Sequence, residues 1–408
     1  MKKACWIVYA GLLLYACHES PHTQTTVWEG FDEEIRANGE GLAVDSFFAI
    51  PLQTDRQCLV ESVKKIVPAG SLLVLVSEKD VLAFNRQGQF VCRFGHQGNG
   101  EGEYNRVSTA YWDEQTQTLN IVDGTRERIL TYGADGRLLD TNYFRPGTFS
   151  LLNTAESLGG QRLFCSHYIY NDQNMAMSDF NLADNTQDTV YRFPGQTDNT
   201  QEYTGRHPFA TYKGKVTCVL PFDQRLYTYS PDERRLHPVM EVGTQQPLLT
   251  ETQLEEMDDY GINRYAEEWM QGTFAGFTDV FETDGIYLLG FSNLYYAVAN
   301  KATGRIAQYT YHVDKENITS LPLLNISATD ENGFLIGYED AFEMKDWHFA
   351  DSASGSLHAM QQAVSTLSDT DNPCLFWGSR NSVGIAIQLS DSEQEELFVH
   401  DSMQVSPE

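Results

Sequence analysis

Apolar residues along this chain come in short runs separated by Gly, Asp, Asn and Pro: FFAIPL, SLLVLV, VLAFN, FVCRF, TLNIVD, RILTYG, KVTCVLPF, RLYTYS, GIYLLGF, YYAVA, GFLIGY and CLFWG. Runs of this length, rich in β-branched and aromatic residues and bounded by turn formers, predict β-strands joined by tight turns. Long helical periodicity is nearly absent. The exception is Thr250 to Met270, TETQLEEMDDYGINRYAEEWM, which opens on a Thr-x-x-Gln capping pattern and spaces Leu254, Met257, Tyr265 and Trp269 at roughly helical intervals. Gly261 divides it into two short helices. The pattern is that of an all-β chain with a short helical insertion over about residues 250–270, which either covers a pocket or partner surface or packs its aromatics on a strand edge.

A repeat underlies the runs. VLAFNRQGQFV (Val81–Val91) superposes on ILTYGADGRLL (Ile129–Leu139), aligning Phe84 with Tyr132, Gly88 with Gly136 and Phe90 with Leu138. Each reads strand, turn, strand, with a Gly where the turn demands positive φ. Weaker copies turn near Asn185, Glu233, Gly304 and Gly355, so successive spacings are 48, 49, 48, 71 and 51 residues. A period of about forty to fifty residues with four short strands per unit predicts a β-propeller. Five intervals imply six blades, and the long interval holds the helical insertion. To close the ring, the strand in AVDSFFAIPL should pair beside NPCLFWG, so that both chain ends fasten one blade and neither leaves a bare edge.

Composition narrows the partners. The chain has 408 residues, 41% hydrophobic and 12% aromatic, enough for a sizeable core, and a formal net charge of -29. Such acidity disfavours nucleic acid, which needs clustered Lys and Arg, and electrostatic attraction to an anionic membrane.

The N-terminus predicts export. Lys2 and Lys3 precede the apolar run Ala4–Leu14, which ends in Leu14-Tyr15-Ala16-Cys17. A basic start and an apolar stretch this short read as a signal sequence rather than a membrane span. An apolar residue, then a bulky one, then a small residue before Cys resembles a bacterial lipobox with Cys17 as the lipidated residue; an ordinary signal peptide cut near Ala16 is the alternative. The organisation expected is a signal peptide over 1–16, a flexible tether over 17–41, a propeller over 42–390 and an acidic tail over 391–408. Cys58, Cys92, Cys165, Cys218 and Cys374 are scattered, without CxxC, and read as small buried hydrophobes, with one disulfide left open.

Phe94–Tyr104, FGHQGNGEGEY, has four glycines and follows a predicted strand. A phosphate loop would lead into a helix and carry a Lys, whereas here Glu101 and Glu103 repel phosphate and the strand VSTAYW follows. A calcium loop needs more oxygen ligands. The segment reads as a turn between blades. It also resembles the interblade loop of the six-bladed β-propeller lipoproteins of Bacteroidetes type, relatives of the NHL-repeat propellers, with Glu101 in place of the customary Pro. FFAIPLQTDRQCLVESVKKI resembles that family's opening strands and NPCLFWGSR its closing strand, so the likeness covers about Asp45 to Arg380. The resemblance implies a lipid-anchored, extracytoplasmic propeller; most such proteins have no assigned reaction.

Candidate chemistry is sparse. No Gly-x-Ser-x-Gly elbow and no HxH occurs, and the one HxxxH, His18 to His22, contains Pro21 and lies in the tether. His167 and His207 are candidate channel-facing ligands. Asp123 with Arg126 and Arg128 could bind an anionic group, though solvated arginines on a DG turn would look the same. Asn317-Ile318-Thr319 and Asn325-Ile326-Ser327 match a glycosylation pattern by chance. No cofactor is predicted. The expectation is a binding or scaffold module for a protein, peptide or glycan, touching the membrane only through its lipid. The alternative is a propeller hydrolase or lyase with a divalent metal at the central channel.

Overall fold

The computed structural model describes residues 24–28, 46–168, 174–194, 205–244, 276–292, 295–302, 304, 306–310, 315–318, 325–350 and 355–379. They form six sheets of mainly antiparallel strands arranged in a ring, a six-bladed β-propeller. Strands β1 (Gln24–Trp28) and β2 (Ser46–Pro51) precede the first complete blade, which holds β3 (Lys65–Ala69), β4 (Leu72–Val76), β5 (Val81–Asn85) and β6 (Phe90–Arg93). Blade two holds β7 (Thr109–Asp113), β8 (Thr118–Asp123), β9 (Arg128–Gly133) and β10 (Leu138–Tyr143). Blade three holds β11 (Leu152–Gly159), β12 (Arg162–His167), β13 (Met175–Asn181) and β14 (Thr186–Arg192). Blade four holds β15 (Phe209–Tyr212), β16 (Lys215–Val219), β17 (Arg225–Ser230) and β18 (Arg235–Thr244). Blade five holds β19 (Asp279–Glu282), β20 (Ile286–Ser292), β21 (Tyr295–Asn300) and β22 (Ile306–Thr310). Blade six holds β23 (Ala328–Thr329), β24 (Phe334–Glu339), the helices α1 (Ala341–Met344) and α2 (Ser356–Ser365), and β25 (Cys374–Ser379).

The core lies between blades. In β4, Val74 and Val76 pack toward blade two, while Leu73 and Leu75 pack toward blade six with Ile336, Leu375 and Trp377. A strand buried on both faces needs no polar alternation, which is why LLVLV reads as an unbroken apolar run. The outermost strand of a blade is half in water: β10 has no fully buried residue.

The ring closes as the sequence leads one to expect. β2 lies antiparallel to β25, from Ser46 opposite Ser379 to Pro51 opposite Cys374. Asn372, just before β25, reinforces the join. Its carboxamide accepts from Val60 N at 2.8 Å and donates to Gln53 O at 2.7 Å and Cys58 O at 2.8 Å.

Five of the six repeat units are the outer hairpins of blades one to five. Gly88 and Gly136 occupy equivalent turns with the same φ of 79°. The sixth unit needs correction. Gly355 does not turn a hairpin but precedes α2, whose Leu357, Met360 and Val364 pack on Trp347 and Phe376. Blade six takes its outermost strand from the N-terminal part of the chain, so it has no outer hairpin to find. Within the stretch expected as a tether, β1 runs parallel to β18 as a fifth strand of blade four, covering that edge. The signal segment, the helical insertion expected near 250–270 and the acidic tail lie outside the described residues; the two described helices lie in blade six.

Candidate functional site: the central channel and its two mouths

The first strand of each blade faces the ring axis, where it meets the first strands of neighbouring blades around a central channel. At its waist Lys65 is buried, with Nζ 2.6 Å from Glu156 Oε1 and donating to Thr154 Oγ1 at 3.2 Å and Ala155 O at 3.1 Å. All three ammonium donors are matched, which a cation at this depth requires.

On either side the channel opens into a cavity. At the C-terminal ends of the inner strands, a cavity of about 450 Å³ is lined from all six blades, with Trp112, Asp113, Glu114, Glu156, Lys213 and Glu331 setting its chemistry. Asp113 is held by Gln115 N at 2.9 Å and Ser157 Oγ at 3.0 Å, and Lys213 lies 2.5 Å from Asp284. At the N-terminal ends, a cavity of about 520 Å³ is lined from blades one to three and by Arg206; its charged groups are Lys64, Lys65, Glu78, Arg106 and Arg206. The two mouths of one channel therefore carry opposite balances of charge.

The histidines part company. His207 lines the C-terminal mouth; its backbone N–H donates to Asp279 Oδ1 at 2.7 Å and its ring packs on Phe281. Burial, reinforced by Lys65 and Arg206, pushes its pKa down to about 3. His167 sits on the second strand of blade three, away from the axis, with Nε2 2.8 Å from Ser178 Oγ and 3.3 Å from Gln187 Nε2. Burial pushes its pKa down to about 4. Both rings are neutral at pH 7, and no contact joins them.

Asp123, Arg126 and Arg128 do come together, around a protein segment. Asp123 is fully buried; its Oδ2 accepts from Arg128 at 3.3 Å and from Asn105 N at 3.0 Å. Arg128 also donates to the Glu103 carbonyl oxygen, and Arg126 to the Asn99 carboxamide. All these partners lie on the stretch 99–105, so the trio clasps the glycine-rich loop in place. The loop is the turn between blades one and two. Gly95 has φ 64°, and a Cβ there would stand 2.6 Å from Gly102 O; Tyr132 Oη donates to that same oxygen at 2.6 Å. Glu103 folds back to accept from Gly100 N at 2.6 Å and meets His96 at 2.9 Å.

The family follows from the chain at large. The family model described as "Domain of unknown function (DUF4934)" matches residues 31–379. The chain belongs to the DUF4934 family. Its fold is similar to that of a Bacteroides fragilis protein whose name records an expectation of export, at TM-score 0.63 and 16% identity, over 88% of this chain and 99% of that one. A DUF4221-family protein from Bacteroides vulgatus is similar at TM-score 0.50 and 12% identity, over 83% and 98%. No curated protein matches the sequence.

In the DUF4934 chain the two histidines expected to face the channel separate, His207 lining a mouth and His167 lying off the axis, while Lys64, Lys65, Arg106, Glu156 and Arg206 at the channel were not among the candidates. Their only signal was position: each stands on, or just before, the inner strand of its blade. Among the described residues, no group of three or more His, Cys, Asp or Glu could hold a metal ion. The five described interior cysteines are free, and Cys165 is pushed up to about 12 by burial, which removes thiolate chemistry there.

Proposed function

We propose that this DUF4934 protein is a binding module, held at the cell envelope by a lipid on Cys17, that recognises a protein, peptide or glycan partner at its channel mouths. The observation that carries the reading is the C-terminal mouth: an open cavity of about 450 Å³, walled by apolar and charged side chains, to which every blade contributes. A site shared by six blades is rigid before its ligand arrives, so little ordering entropy opposes binding. The lipobox-like LYAC and the NHL-like loop support the anchored, extracytoplasmic setting. Two measurements test this. Cys17→Ser should move the protein from the detergent to the aqueous phase on partitioning; an unchanged partition removes the anchor. Melting the protein against glycans, peptides and divalent metals, with and without EDTA, tests the module. A ligand at a hundred times its Kd should add about 2.7 kcal/mol. A fall in Tm on EDTA reversed by one metal would overturn the module in favour of a metal-dependent hydrolase or lyase.

A further inference from the structure

We propose that the N-terminal mouth of the channel binds an oxyanion carried on a hydroxyl-rich body, the chemistry of a sugar bearing a carboxylate, sulfate or phosphate. This rests on the binding-module reading and names the ligand class of one of its mouths.

Charge is the first ground. The chain carries a net -29, yet this cavity gathers Lys64, Lys65, Arg106 and Arg206 against the single carboxylate of Glu78. Internal pairing leaves some of that charge unmatched. Lys65 is balanced by Glu156, and Arg106 stands 2.7 Å from Glu78. Neither Lys64 nor Arg206 makes an ion pair with a described residue, although Arg206 bonds the Tyr338 phenol and its charge acts on the buried Asp279 carboxyl. Lys64 is half-buried and gives one donor to Ser108 O at 2.6 Å. Taking an ammonium this far out of water with only the more distant Glu78 charge to offset it is unfavourable, and an incoming anion reverses that term. The same strain is visible in its acidity: burial first, then Arg106, Lys65 and Arg206, hold Lys64 below the usual lysine range. The positive field also reaches Tyr168, whose phenol is raised by burial and partly drawn back by Arg106 and Arg206.

The rest of the lining decides what the anion is attached to. Six hydroxyl side chains (Ser62, Ser108, Thr109, Ser150, Thr154, Tyr168) and Asn153 face the cavity, against three aliphatic ones. Such a wall suits a polyhydroxylated body; a nucleobase or a lipid tail would find no apolar slot. About 520 Å³ lies in the range of small-molecule sites, and Arg106 and Arg206 at the rim can each give a carboxylate or phosphate two parallel hydrogen bonds.

The test is calorimetric titration of the full chain with glucuronate, glucose 6-sulfate and glucose 6-phosphate, against glucose and inorganic phosphate. At least one charged sugar should bind, more weakly as salt rises, while glucose does not; which one binds identifies the oxyanion. Arg106→Gln and Arg206→Gln should each weaken it about tenfold, with Tm unchanged. Lys213→Gln, at the other mouth, should leave it unaltered. The proposal fails if no charged sugar outbinds glucose, if the double Arg variant binds like wild type, or if inorganic phosphate binds as tightly as the sugars. Stabilisation by a peptide or neutral glycan alongside silent charged sugars would overturn this inference and leave the binding module standing. Silence from every ligand would count against both.

Discussion

Two clusters of positive charge in this propeller look alike in composition and differ in what surrounds them. In the clasp, Arg126 and Arg128 meet a buried carboxylate, a carbonyl oxygen and a carboxamide, all from the protein. In the N-terminal mouth, Lys64 has one carbonyl partner and Arg206 bonds only the Tyr338 phenol among the described side chains, and both line the open cavity. The first cluster is spent on folding; the second has donors left for a ligand. An arginine's role is thus decided less by its charge than by whether the protein supplies the acceptors. The two are also joined in sequence: Asn105, pinned by Asp123, immediately precedes Arg106 of the mouth.

The contrast breaks most sharply at Arg128. Arg128→Met leaves the Asp123 carboxylate buried beside a neutral chain, and its Oδ1 already lacks a partner. Removing one member of a buried pair costs about 3–5 kcal/mol, so urea unfolding of Arg128→Met should show a loss of that size. Arg206→Gln, exposed at the mouth, should stay within about 0.5 kcal/mol of wild type. Equal losses for the two variants would erase the distinction between spent and available cations.

The two histidines repeat the comparison in a form that pH can read. His167 is enclosed by Ser178 and Gln187, with a pKa near 4 in the folded protein, whereas an unfolded histidine titrates near about 6.5. Between these values the unfolded chain holds the extra proton. Stability therefore falls as pH drops below the unfolded value, and the loss is complete once pH passes below the folded one. From pH 7 to about 4.5 this should remove about 2–3 kcal/mol from wild type. His167→Gln should escape that share of the loss, whatever the carboxylates contribute to both proteins. Parallel losses, measured by denaturant unfolding at the two pH values, would mean that His167 is not held neutral by the fold.

The propeller was legible because its second and third strands are buried on both faces and so must be apolar, as LLVLV and VLAFN are. What was not legible follows from the same geometry. The outermost β10 is half solvated, and LLDTNY carries no run to detect. The sixth turn, expected near Gly355, instead leads into α2, because β2 comes from the other end of the chain to complete blade six. The site divides in the same way. Asp123, Arg126 and Arg128 lie within six residues and catch the eye, and they belong to the clasp. Lys64, Arg106 and Arg206 lie far apart in the chain and meet only because each stands just before the start of an inner strand, a position that becomes one place when the ring closes. Sequence proximity favours local staples, and ring closure assembles distant residues into a mouth.

Arg126 gives the smallest effect and the finest division within the clasp. It stands 4.0 Å from Asp123, at the edge of ion-pair range, and its side chain is partly solvated, while its other contact is to Asn99 on the loop. A solvated pair at that distance contributes about 0.5 kcal/mol, and Asp123 keeps both Arg128 and the Asn105 amide when it is lost. Arg126→Gln should therefore lower global stability by less than about 1 kcal/mol. Its effect should instead be local: backbone amides around residues 98–100 should exchange faster, while those of β8 and β9 keep their protection. A loss as large as that of Arg128→Met would mean that Asp123 depends on both guanidiniums together, and the division between one structural arginine and one loop-ordering arginine would have to be given up.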